Sequence, residues 1–182
     1  MSVEANLWIS HRDLANLARE VMRHGQSFRF RAQGISMRPF IRSGDLLTVQ
    51  PLGGGESPRL GDVILYQAEG DRLIAHRVVG GSGASLVARG RISGYRADET
   101  TLRVRGDRLW APLERVRPAQ LLGQVVAIER NARLYRLTGA GQRVTALAWI
   151  GLRALVRAVR SRLGKVKRRA ARAVGGFFIA SP

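Results

Sequence analysis

The chain has no cysteine, so a disulfide framework and thiolate metal sites are both excluded. Its histidines, His11, His24 and His76, are too scattered to pair with nearby carboxylates as a metal cluster. The expectation is therefore no metal and no cofactor. Lysine is almost absent. The two present, Lys165 and Lys167, sit in the basic C-terminal stretch, so a lysine base elsewhere is excluded unless that stretch folds back. Acidic residues are few, 13 against 31 basic ones, and the formal charge is +18, which makes an anionic partner attractive. No apolar run is long enough to span a bilayer: the longest near the C-terminus, Val144 to Leu152, ends at Arg153. The charged first residues (Glu4, Arg12, Asp13) read as neither signal peptide nor anchor. A phosphate-cradling glycine loop leading into a helix is also missing.

What remains is a globular composition, 45% hydrophobic and 24% charged, in 182 residues. The reading has three parts: an amphipathic helix over 1–25, a mainly β domain over 26–130 and a basic helical tail over 131–182. In the first, Ser10 is a cap, Leu14, Leu17, Ala18 and Val21 recur at helical spacing, and Gly25 is a stop. In the second, short apolar runs alternate with glycine-rich loops: FRFRAQ, DLLTVQP, DVILYQ, LIAHRVVG, SLVARGR, TTLRVRG and LLGQVVAIER. Leu86 to Arg91 and Leu102 to Gly106 read as a hairpin whose loop contains Tyr95. Overall the fold class is α+β, mainly β.

Ser36 lies between Gly34 and Pro39, just before a Gly44-Asp45 turn, and His76 lies in the apolar run Leu73 to Val79. A serine hydroxyl needs an adjacent base, and histidine is the side chain suited to that near neutral pH. A turn serine and a core histidine are the plain alternative. The blocks GISMRPFIRSGD, LGDVILY, LIAHRVV, VRGD and LLGQVV decide between them. Over about Phe30 to Arg130, their order and spacing resemble the signal peptidase I and LexA-like serine peptidase superfamily. Without a lysine base, the chain is similar to the histidine type found in eukaryotic and archaeal signal peptidase subunits.

That resemblance implies a LexA- and signal-peptidase-like β domain and a serine endopeptidase acting on a peptide or leader-bearing protein. Ser36 is the implied nucleophile and His76 the implied general base. Asp107, in VRGD, stands where histidine-type relatives carry a supporting aspartate, and it reads equally as a Gly-Asp turn cap. Gly34 occupies the position where many lysine-type enzymes carry a hydroxyl donor, so the oxyanion would rest on backbone N–H groups. Met37 and Pro39 are expected to shape the turn and line the substrate groove, with core packing the other reading of Met37. Asp45 and Asp62 are expected to hold turns.

Two further function classes stand beside this one. A LexA-like self-cleaving regulator is opposed by the short N-terminal helix and the missing lysine. A non-catalytic binding protein on a peptidase scaffold would leave the work to the tail. In that tail Val144, Ala148, Leu155 and Val159 fall on one helix face and Arg153, Arg157 and Arg160 on the other. The face is expected either on an anionic membrane or packed on the β domain. Nucleic acid is disfavoured because aromatics for base stacking are sparse there. The expected location is cytoplasmic or peripheral on the cytoplasmic membrane face, and oligomeric state is left open.

Overall fold

The computed structural model describes residues 10–53, 58–81, 86–87, 91–92 and 101–175; for 86–87, 91–92, 140–143 and 162–175 it describes the backbone. It shows a mainly antiparallel β structure with one N-terminal and one C-terminal helix. The first helix, α1 (His11–Arg23), begins where the Ser10 hydroxyl accepts the Asp13 amide hydrogen and stops at Gly25, whose φ is +73°. Its buried face is Ala15, Ala18 and Met22, flanked by Leu14 and Val21. Leu17, expected on that face, is exposed, because the 3.6-residue period carries it round from Ala18 and Met22.

The strands are β1 (Phe28–Arg31), β2 (Leu46–Gln50), β3 (Val63–Gln67), β4 (Leu73–Gly81), β5 (Leu86–Val87), β6 (Arg91–Ile92), β7 (Leu102–Arg105), β8 (Leu113–Val116), β9 (Leu121–Arg130) and β10 (Arg133–Arg136). Eight of them form one sheet in the order β1-β2-β9-β3-β4-β7-β8, with β10 paired to β9. β3 lies at the centre of the path and is buried on both faces, which is why VILY reads as a continuous apolar run. Its side chains alternate between two cores: Val63 and Leu65 join Leu47, Val49, Val125 and the helix residues Ala18 and Met22, whereas Ile64 and Tyr66 join Val78, Leu102, Val104 and Val116.

The expected hairpin of 86–91 with 102–106 does not form. β5 pairs with β6 in a separate two-stranded sheet, while β7 pairs with β4 on one side and β8 on the other. The apolar alternation of Leu102 and Val104 is satisfied by the second core, where they join Ile64 and Tyr66 of β3, Val78 of β4 and Val116 of β8. The Tyr95 loop falls outside the described residues, as do residues 1–9 of the N-terminal segment and the closing 176–182.

β10 carries the sheet beyond the expected boundary at 130. The chain divides into two compact units, 1–146 and 147–182, with the helix α2 (Ala140–Gly175) beginning in the first. Among the described residues no helix is long and apolar enough to cross a membrane.

Candidate active site

His76 lies on β4 opposite Ile64 of β3, and its side chain therefore shares a face with Tyr66 two positions on. The Tyr66 hydroxyl lies 3.2 Å from His76 Nδ1, and Glu114 Oε1 of β8 lies 3.3 Å from the same nitrogen. Tyr66 donates its proton to Glu114 Oε2 at 2.5 Å. Donor counting then assigns the imidazole. A carboxylate only accepts and Tyr66 has one proton, already given, so the hydrogen in this cluster belongs on Nδ1. Nδ1–H donates to the tyrosine oxygen, with Glu114 Oε1 beside it at 3.3 Å, and Nε2 keeps its lone pair.

His76 is 5% exposed. Burial lowers its pKa below the ordinary 6.5, while the charges of Glu114 and Asp107 oppose that and favour the imidazolium. The balance leaves a neutral imidazole at pH 7, the form that accepts a proton. Burial and the hydrogen bond to Glu114 push the Tyr66 hydroxyl far up, so it stays protonated.

Asp107 is fully buried, and Arg77 grips it with a two-pronged ion pair: Nε donates to Oδ1 at 2.8 Å and Nη2 to Oδ2 at 2.6 Å. The third arm of Arg77, Nη1, donates to Gly61 O at 2.7 Å, and its guanidinium lies over the Phe40 ring. Asp107 thus acts on His76 through its charge, and the carboxylate against Nδ1 is Glu114. The physical reason is strand alternation. His76 and Arg77 are neighbours on β4 and point to opposite faces, and the VRGD loop reaches the Arg77 side.

The same loop packs on the serine turn. The Arg108 amide donates to Ser36 O at 2.8 Å. Gly106 approaches so closely that an added Cβ would stand 2.5 Å from that carbonyl oxygen, which is why glycine is needed there. On its other side the turn is tied to β9. Arg130 donates to both oxygens of Asp45 at 2.7 and 2.6 Å and to Phe40 O at 2.9 Å, and Asp45 also accepts the Arg42 amide hydrogen. Asp62 closes the next turn by accepting the Arg59 amide hydrogen at 2.7 Å.

Ser36 and His76 line one cleft of about 480 Å³, together with Gly34, Met37, Ile74, Ala75 and Glu114. Ser36 is exposed, and Gly34 turns at φ +89°, a conformation that favours glycine. Met37 is 5% exposed and belongs both to the first core and to the cleft wall. Pro39 follows a cis peptide, is exposed and lies outside the lining of this cleft.

Beside the cleft, β4 has an open edge. β7 pairs with β4 only from Arg77 onward, so among the described residues no strand covers Leu73 to His76 on that side. Sequence reasoning missed Tyr66, Glu114 and Arg77. Tyr66 hides in an apolar strand and Glu114 in no motif at all; only the β3–β4 register and the return of β8 bring them to His76.

No protein-family model matches the chain, and a search of curated proteins finds no match either.

Proposed function

We propose that the protein is a serine endopeptidase of the signal peptidase type, cleaving a peptide or leader segment with Ser36 as nucleophile and His76 as general base. The observation that carries the reading is one cleft lined by a serine and by a buried, neutral histidine whose Nδ1 is engaged by Tyr66 and Glu114. A base held in one tautomer, with the opposite nitrogen free to take the serine proton, is the working arrangement of histidine-assisted acyl transfer. Two of the blocks that carry the resemblance, GISMRPFIRSGD and LIAHRVV, supply walls of this cleft, which supports a LexA- and signal-peptidase-like β domain.

In this reading the substrate lies as an added strand along Leu73 to Ala75, taking main-chain hydrogen bonds from the open edge of β4. Attack by Ser36 on the scissile carbonyl passes its proton to His76. The imidazolium so formed is stabilised by Glu114 and the charge of Asp107, and it returns the proton to the leaving amine. The Arg38 amide is already given to Ile35 O, leaving the amides of Ser36 and Met37 as the backbone donors for the oxyanion.

The test is cleavage of a mixed peptide library read by mass spectrometry, with wild type, Ser36→Ala and His76→Ala. Cuts that disappear in both variants are expected, because neither residue can work without the other. Undiminished cutting by Ser36→Ala overturns the assignment.

One observation adds a membrane to the picture. Val144, Leu147, Leu152, Leu155 and Val159 of α2 are all exposed, and the sequence from Arg130 on carries no acidic residue. That combination favours attachment to an anionic bilayer, as a peripheral protein at the cytoplasmic membrane face.

A further inference from the structure

Three arginines line the cleft that holds Ser36 and His76: Arg31 at the end of β1, Arg42 in the serine turn and Arg72 just before β4. All three are exposed. The hydrogen bonds of Arg31 and Arg72 go to backbone carbonyls, those of Gly44 and Glu69, and among the described residues no carboxylate forms an ion pair with any of the three. The cleft has one carboxylate, Glu114, and Tyr66 and His76 already occupy it. Between the arginines the walls are apolar: Phe30, Met37, Ile41, Ile74 and Ala111. The surface is thus built for a chain that is apolar in its middle and negative at an end.

Position along β4 makes this more specific. Arg72 stands four residues before His76, next to the open edge of Leu73 to Ala75. At about 3.3 Å per strand residue, a peptide on that edge with its reacting bond at His76 passes Arg72 about 13 Å away. A guanidinium there meets an Asp or Glu side chain in two-pronged fashion.

We infer that the cleft selects peptides carrying an acidic residue about four positions from the reacting bond, read by Arg72, with Arg31 and Arg42 extending the preference for negative charge. The inference rests on the peptidase reading for what happens at the bond, and on the cleft alone for what binds.

Its test uses short fluorescent peptides with an alanine-valine core and Glu or Lys at either end. Binding to Ser36→Ala is followed by anisotropy and cleavage by wild type is followed by mass spectrometry. A Glu peptide should bind about two- to fivefold more tightly than its Lys twin, the scale of one partly exposed ion pair. The preference should shrink in Arg72→Gln and reverse in Arg72→Glu. It should survive Arg133→Glu, which removes the same charge from exposed β10. Equal binding of the two peptides to Ser36→Ala, or equal loss with Arg133→Glu, overturns the inference. Selective binding by Ser36→Ala without cleavage by wild type supports it and sinks the peptidase reading instead.

Discussion

At the scale of single residues, the chemistry turns on a buried imidazole. Burial lowers the pKa of His76 from 6.5, so its neutral form prevails at physiological pH and a base-dependent rate should rise through an inflection below 6.5 and then level off. The linkage has the matching sign. A histidine with a depressed folded pKa contributes stability that is present above about 6.5 and lost as pH falls through the folded value. Glu114 raises the His76 pKa, so Glu114→Gln should move the kinetic inflection to lower pH, which a pH–rate profile of peptide cleavage measures directly. An inflection that stays put would remove Glu114 from the base's surroundings.

At the scale of elements, the serine turn is held between one buried and one part-buried ion pair. Asp107 and Arg77 join the VRGD loop to β4, and Asp45 and Arg130 join the turn to β9. Removing one partner of a fully buried pair leaves the other charge uncompensated. Asp107→Ala should therefore cost about 3–5 kcal/mol, seen as a lower midpoint in urea. Gly106→Ala should act differently. Its Cβ would drive against the Ser36 carbonyl at 2.5 Å, and backbone cannot yield as a side-chain tip can. The turn must shift, so cleavage should fall by far more than stability, as kcat against a melting curve would show. Acid adds a third check on this frame. Burial raises the Asp45 carboxyl, but the hydrogen bonds from Arg130 and the Arg42 amide outweigh it and hold it below the ordinary 3.8. Its stabilisation is present above 3.8 and disappears as pH falls through the lower folded value.

For the whole molecule, the question is how so cationic a chain meets its surroundings. At +18, long-range attraction to anionic surfaces is substantial at low salt and fades over a Debye length of about 8 Å at physiological ionic strength. Charge alone would give salt-sensitive binding. The exposed residues of α2 add a contribution that salt does not screen, because Leu152 and Leu155 are 51% and 61% exposed and can enter the acyl boundary. Leu152→Asp with Leu155→Asp should weaken co-sedimentation of the full chain with vesicles rich in phosphatidylserine by an order of magnitude or more. Unchanged co-sedimentation would leave charge as the whole account.

Local physics made much of this protein legible in its sequence. Ser10 and Gly25 mark the ends of α1 because caps and left-handed stops are chosen by side chains within a turn of the chain. Apolar alternation or an unbroken apolar run marks β1 to β4, β7 and β9 because a strand shows its burial in its own sequence. Ser36, His76 and Gly34 could be picked out because they stand in ordered blocks, and they do share a cleft. The assignment of neighbours belonged to the tertiary structure. β7 joins β4 and not β5, Asp107 turns to Arg77, and Glu114 arrives at His76 from a strand without any motif. These are pairings between residues tens of positions apart, and no local pattern encodes which partner completes a buried charge. Register decides them, and register exists only once the sheet has formed.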